Sequence, residues 1–153
     1  MKSSLFPDVN VWLALSHGVH IHHGMASDWL QSLPECGLFF CRFTQLGLLR
    51  LLTTPQVMGV EVMTQRGAWQ VYRKWYEDSR IEFLREPESA TFETLFHQLS
   101  LKPQASPKVW ADAYLAAFAK SSGLTVVTFD RSFPGAGSSA VTVLPAASSK
   151  RNH

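Results

Sequence analysis

The sequence predicts a three-layer α/β/α fold, in which helices cover both faces of a central, mainly parallel sheet of four to five strands. Short apolar segments typical of strands alternate along the chain with longer amphipathic segments typical of helices. Residues 124–129 form a continuous apolar and β-branched run, as expected for a strand covered on both faces. No repeat or linker divides the 153 residues, so we predict one domain over residues 1–145 and a flexible tail over 146–153.

The composition is that of a globular protein rather than a membrane or disulfide-rich one. The hydrophobic fraction is 46% and the formal net charge is +2, which tolerates a polyanionic partner without requiring one. Pro7 and Asp8 interrupt the first apolar run, and no apolar stretch reaches the roughly 18 residues of a membrane span. Cys36 and Cys41 suggest no disulfide framework. We therefore expect a cytoplasmic protein with no membrane contact.

The first strand is expected to end near Asp8, and an apolar helix follows it. An acid at that junction either caps the helix, as Asn10 also could, or belongs to a site at the strand end. Four histidines follow between residues 17 and 23. Imidazole suits transition metals, but this spacing matches no standard zinc pattern, so we interpret the segment as a solvated loop leading into a helix.

The middle of the chain predicts two further strands, over residues 38–41 and 81–84. Thr44 could cap a helix over residues 45–52, in which Arg50 either extends to solvent or faces an anionic site. Later helices are expected to begin at Thr64 and Ser89.

The segment from residue 106 to residue 133 reads as a helix, a tight turn and a buried strand. Ser106 is the expected N-cap, Pro107 the first helical residue and Gly123 the stop. A last strand over residues 141–144 is expected at an edge of the sheet.

Three aspartates lie at element ends that a parallel sheet would bring together. Asp8 and Asp130 follow strands, and Asp112 lies early in a helix. Ligands of open α/β sheets bind outside the carboxyl ends of the strands. Carboxylate oxygens suit Mg²⁺ or Mn²⁺, and such an ion can activate water and offset charge on a phosphodiester. We predict that the three carboxylates converge in one pocket and bind one such ion in preference to Zn²⁺.

Four segments, 6–11, 43–53, 111–117 and 127–133, resemble the successive motifs of the PIN domain, and most closely those of the VapC-type toxins of bacterial toxin–antitoxin pairs. The resemblance spans about residues 5–144. It implies a PIN-like fold and a divalent-metal-dependent endoribonuclease that cleaves single-stranded RNA, with Mg²⁺ or Mn²⁺ as cofactor. It also implies a small antitoxin protein as partner and a homodimer.

Carried over by position, the resemblance makes Asp8, Asp112 and Asp130 the metal-binding and catalytic acids. Many members have a glutamate where this chain has Gly47, and a second late aspartate where it has Ser132. The leaner acidic set favours one ion over two.

Four further residues are assigned supporting roles at this site. Asn10 and Thr44 are the expected water-mediated helpers of the ion. Arg50 and Arg131 are the expected contacts to RNA phosphates.

Three other classes of protein are alternatives to the nuclease. A haloacid-dehalogenase-like phosphotransferase would need an acid where Asn10 stands, and a receiver-like domain would need an early acidic pair. A catalytically weak or inactive PIN-like module that binds RNA or a protein remains the alternative, because the acidic site is lean.

Overall fold

The computed structural model describes residues 2–146, so the predicted tail lies almost wholly outside the described residues. The five strands are β1 (Ser3–Pro7), β2 (Cys36–Phe40), β3 (Ile81–Phe83), β4 (Thr125–Thr128) and β5 (Val141–Val143). The helices are α1 (Val9–Ser16), α2 (His23–Ser32), α3 (Arg42–Leu52), α4 (Pro55–Met58), α5 (Gln65–Trp75), α6 (Ala90–Ser100) and α7 (Val109–Ser122), with a 3₁₀ turn at Gly59–Glu61. None of these helices is both long and apolar enough to cross a membrane.

The strands form one sheet in the order β3-β2-β1-β4-β5, and every neighbouring pair is parallel. This confirms the predicted three-layer architecture, and β5 lies at an edge as expected. The chain builds one half of the sheet outward from β1 and then returns to place β4 on the other side. The switch point therefore lies between β1 and β4, where ligands of such sheets bind.

The core consists of two apolar layers, one on each face of the sheet. On one face Trp12 of α1 stacks on Phe40 of β2, with ring centroids 3.9 Å apart. On the other face Phe6 of β1 stacks on Phe118 of α7 at 4.9 Å. Because successive strand residues point to opposite faces, a central strand covered by helices on both faces is apolar along most of its length.

Two helices begin at residues other than those predicted. Helix α3 begins at Arg42, because Cys41 and Thr44 form a reciprocal capping arrangement in which Cys41 is the N-cap. The Thr44 hydroxyl accepts a hydrogen bond from the Cys41 N–H at 3.0 Å. Helix α7 begins at Val109, because a turn closed by its N–H and the Ser106 carbonyl precedes it.

The other predicted helix boundaries are confirmed. Thr64 and Ser89 cap α5 and α6 through their hydroxyl oxygens. Gly123 ends α7 in the left-handed conformation, at φ 69° and ψ 33°, which glycine adopts without steric cost.

Candidate active site

Asp8 joins the end of β1 to the start of α1. One carboxylate oxygen accepts a hydrogen bond from the Val9 N–H at 2.7 Å, and the other accepts one from the Thr128 hydroxyl at 3.0 Å. The Asp8 N–H donates to the Val127 carbonyl at 2.8 Å, which pins the junction to β4. Asp8 is therefore both a helix cap and a carboxylate at the switch point, so its two sequence interpretations are compatible.

The Thr128 hydroxyl connects the polar groups at the ends of β1 and β4. It accepts hydrogen bonds from the Asn10 amide at 3.2 Å and from the Asp130 N–H at 3.1 Å. The Asn10 carbonyl oxygen accepts one from the Phe129 N–H at 3.3 Å. Sequence reasoning missed Thr128, although a hydroxyl at the last position of a buried strand, two residues before an acid, was an available signal.

Asp130 is oriented by Ser132, the residue at the second position that departs from the family pattern. One Asp130 carboxylate oxygen accepts hydrogen bonds from the Ser132 N–H at 2.8 Å and from its hydroxyl at 2.6 Å. Where many PIN domains have a second late aspartate, this chain therefore has a serine that donates hydrogen bonds to the Asp130 carboxylate.

Asp112 lies in the first turn of α7 and is half-buried. Desolvation, followed by the negative charges of Asp8 and Asp130, raises the pKa of Asp112 from 3.8 to about 6. Desolvation also raises the pKa of Asp8, against the hydrogen bonds from Thr128 and the Val9 N–H, and the Asp130 charge adds to that rise. The structure therefore brings the three carboxylates close enough to repel one another.

The chemistry of this donor set fits a hard divalent cation. Carboxylate, amide and hydroxyl oxygens are the ligands of Mg²⁺ and Mn²⁺, and a cation would relieve the carboxylate repulsion. Across residues 2–146, however, no group of three or more Asp, Glu, His or Cys side chains is arranged to hold one ion together. The residues fit an ion that keeps several waters and takes few direct protein ligands.

A cavity of about 500 Å³ opens beside Asp8. Its polar lining includes Asn10, His20 and Arg50, and its apolar lining includes Phe43 and Leu46. The predicted RNA contact Arg50 therefore lies near the acidic rim. Within residues 2–146 the ion pairs are Lys2–Glu35 and Arg80–Asp78, so the Arg50 guanidinium has no carboxylate partner there.

The predicted RNA contact Arg131 and the predicted helper Thr44 do not line the cavity beside Asp8. Arg131 is exposed and lines a different cavity, beside Val143 and Leu144 at the edge of the sheet. Thr44 is completely buried, and its hydroxyl is engaged by the Cys41 main chain. The capping arrangement of α3 thus leaves Thr44 without an accessible hydroxyl for a metal-bound water.

The histidine segment is not simply a solvated loop, which corrects the prediction. The His22 ring stacks on Phe129 with centroids 4.8 Å apart, and His20 lines the cavity beside Asp8. The His22 N–H donates to His20 Nδ1 at 3.0 Å, so the neutral ring carries its proton on Nε2. Sequence reasoning missed His20, because nothing local indicates that the loop folds back onto the rim.

Comparison with known proteins agrees with this fold. The PIN-domain family matches residues 5–137. Ribonuclease VapC41 of Mycobacterium tuberculosis H37Rv is 41% identical over 133 residues, which cover 84% of this chain and 90% of that protein.

Two solved structures share the fold. VapC20 of M. tuberculosis, described as a sarcin–ricin loop cleaving toxin, superposes with a TM-score of 0.63 at 19% identity, covering 92% of this chain and 99% of that one. A toxin–antitoxin complex from Klebsiella pneumoniae superposes with a TM-score of 0.57 at 19% identity, covering 92% and 97%. At this identity the superpositions show the fold alone, whereas the family match and the VapC41 identity show kinship. The chain belongs to the PIN-domain family.

Proposed function

We propose that this protein is a VapC-type toxin endoribonuclease that hydrolyses phosphodiester bonds of single-stranded RNA. The observation that carries the proposal is the set of three mutually repelling carboxylates, Asp8, Asp112 and Asp130, at the switch point of a PIN-domain sheet. The 41% identity of this chain to a protein named Ribonuclease VapC41 supports the same activity.

Asp8, Asp112 and Asp130 would hold Mg²⁺ or Mn²⁺ and are the proposed catalytic residues. A divalent ion there supplies an activated water and offsets charge on the phosphodiester. The protein contributes orientation. The Val9 N–H and the Thr128 hydroxyl fix the Asp8 carboxylate, and Ser132 fixes that of Asp130.

Asn10 is the proposed positioning residue of the site. Its amide bonds to the Thr128 hydroxyl and its carbonyl oxygen accepts from the Phe129 N–H, so it ties the first turn of α1 to the end of β4. A displacement of α1 would otherwise carry the Asp8 carboxylate away from Asp130.

The proposed partners are a small antitoxin and a second copy of the chain. The solved complex from K. pneumoniae is described as a toxin–antitoxin complex, which supports an antitoxin here. Val57, Val60 and Val62 expose apolar side chains around the 3₁₀ turn, as a protein interface would. Light scattering of the purified chain should give twice the monomer mass, and a monomeric mass would refute the homodimer.

We place the activity in the cytoplasm, where an RNA substrate and free cysteines such as Cys36 and Cys41 are expected.

The test of the activity is cleavage of a fluorophore-quencher single-stranded RNA by antitoxin-free protein with Mn²⁺. Asp112→Asn should abolish cleavage, because the amide keeps the size of the side chain but removes the charge that attracts the ion. Asp28→Asn is the matched control, since Asp28 is exposed on α2 and should be dispensable. Cleavage that survives both EDTA and Asp112→Asn would refute the metal-dependent nuclease.

A catalytically weak RNA-binding module is the second candidate. It is favoured by one observation, that the described residues contain no group of three acids or histidines arranged around a common ion position. Tight binding of single-stranded RNA without cleavage of a broad substrate panel in Mn²⁺ would select this function.

A further inference from the structure

Two large apolar side chains of α3 are exposed beside the acidic rim. Phe43 is 37% exposed and Leu46 is 57% exposed, and both line the cavity that contains Asp8. Residues three apart lie on the same face of a helix, so the two side chains present one surface. Both side chains are partly exposed, so this surface is accessible to a ligand.

The Phe43 ring is held in place by an aromatic side chain of α7. It packs against Tyr114 of α7 with ring centroids 5.5 Å apart and planes inclined at 43°. The Tyr114 hydroxyl donates a hydrogen bond to Glu86 at 2.8 Å, which fixes Tyr114 in turn. A flat ring already held in position loses little conformational freedom when a second ring stacks on it.

The interior of the cavity is apolar, with few polar groups. Val9, Leu13 and Leu51 contribute aliphatic surface, and His20 and Arg50 contribute donors. Because His20 Nδ1 already accepts the His22 N–H, the donor that the neutral ring can offer a ligand is Nε2–H. Burial and the neighbouring histidines lower the pKa of His20, which favours this neutral form.

Arginines line both cavities that Phe43 borders. Arg50 lines the cavity beside Asp8, and a second cavity of about 560 Å³ is lined by Arg42 and Arg85, together with Glu86. Phe43 and Leu46 line both cavities. A polyanion with flat bases matches an aromatic platform flanked by arginines, as in proteins that bind single strands by stacking.

We propose that the cavity beside Asp8 is the subsite for one unpaired nucleobase of an RNA strand, which stacks on Phe43 and accepts a hydrogen bond from His20 Nε2–H. The phosphates that flank this base lie toward Arg50 on one side and toward Arg42 and Arg85 on the other. The inference rests on the proposed function, because it names how the RNA is held next to the acidic rim.

The test measures binding without cleavage. A fluorescein-labelled single-stranded RNA is titrated with protein in EDTA and followed by fluorescence anisotropy. Phe43→Ala should weaken binding about 5- to 150-fold, the range that corresponds to the loss of one base–aromatic stack. A series of RNAs with a single abasic ribose at each position then locates the stacked base. At one position the abasic RNA should bind the wild type more weakly than the intact RNA does. Phe43→Ala, which has already lost the stack, should bind the abasic and the intact RNA with nearly equal affinity.

The controls separate stacking from loss of fold. Trp69→Ala removes an aromatic of similar exposure (40%) on α5 and should leave the affinity unchanged. Phe43→Leu keeps apolar bulk while removing the aromatic face, so it should lose affinity with an unchanged thermal midpoint. His20→Ala should flatten the preference among the four bases at the position that Phe43 identifies.

The outcomes distinguish this proposal from the nuclease proposal. If the effects of Phe43→Ala and of one abasic position are not additive, but the protein cuts no RNA in Mn²⁺, the subsite is supported and the nuclease activity is refuted. RNA cleavage without coupling at any position overturns the subsite alone. Failure of the protein to bind the RNA panel also overturns the subsite, and the cavity would then be free for a protein partner.

Discussion

Gly47 of α3 lies so close to Val9 of α1 that a Cβ at position 47 would stand 2.6 Å from one Val9 methyl and 3.1 Å from the other. No side chain, a glutamate included, fits at position 47 while Val9 keeps its place. The departure of Gly47 from the family pattern is thus accompanied by a packing contact between α1 and α3, and the cavity beside Asp8 is lined by both residues.

We expect Gly47→Ala to destabilise the wild type by about 1 kcal/mol. The overpacking costs roughly 1–3 kcal/mol, and the higher helix propensity of alanine offsets about 1 kcal/mol of it. In a Val9→Ala background the nearest remaining atom is the Cβ of residue 9, at 3.4 Å, so the clash disappears. There the same substitution should stabilise the protein by up to about 1 kcal/mol. Urea unfolding of the four proteins tests the change of sign, and an equal effect in both backgrounds would contradict it.

Asp112→Asn should raise the free energy of unfolding near pH 8 in the absence of metal. The substitution removes a carboxylate that desolvation and the charges of Asp8 and Asp130 disfavour. Because Asp112 is half-exposed and solvent screens its charge, we expect a gain of about 1 kcal/mol, below what direct conversion of the pKa shift would give. Urea denaturation in EDTA measures it, with Asp28→Asn as the control. A loss of stability would instead indicate that the Asp112 carboxylate is structural.

The same carboxylate predicts a pH dependence of stability. Its pKa is raised from 3.8 in the unfolded chain to about 6 in the folded protein, so the folded state binds more protons between these values. The contribution of Asp112 to stability is therefore present below about pH 4, is lost as the pH rises to about 6, and is constant above that. The difference between Asp112→Asn and wild type should grow with pH across this window and then level off. A difference that shrinks as the pH rises would contradict the sign.

Mn²⁺ and Mg²⁺ should raise the thermal midpoint of the wild type. An ion at a hundredfold excess over its dissociation constant stabilises the folded state by about 2.7 kcal/mol, which corresponds to a shift of several degrees. The shift should be much smaller in Asp112→Asn. Differential scanning fluorimetry over a range of concentrations measures it. A larger shift with Zn²⁺ that is lost in His20→Ala would place the metal in the histidine segment instead.

Arg50→Ala should weaken binding of single-stranded RNA and lower its dependence on salt. Loss of one phosphate contact reduces the slope of log affinity against log salt by about 0.7. The substitution should leave the Mn²⁺-induced thermal shift unchanged, because the guanidinium is not a metal ligand. Arg66→Ala, an exposed arginine on α5, is the control. An unchanged slope for Arg50→Ala would exclude the phosphate contact.

Local sequence signals are sufficient to predict the architecture and the order of the acids. The apolar runs, the left-handed stop at Gly123 and the caps at Thr64 and Ser89 are local signals, because each depends on residues within one or two turns. Asp8 and Asp130 could be assigned to one edge of the sheet because the carboxyl ends of parallel strands must lie together. The same reasoning places the start of α7, and with it Asp112, at that edge.

The contacts that complete the site come from packing between distant parts of the chain. The Thr128 hydroxyl bonds to Asp8 across 120 positions of sequence, and His20 reaches the cavity through a loop that folds back onto Phe129. The contact between Val9 and Gly47 likewise depends on how closely two helices approach. Such contacts depend on the distances between packed elements, which local propensity and periodicity do not contain. The chain order therefore predicts which residues meet at the edge of the sheet, and packing decides which of them remain accessible to a ligand.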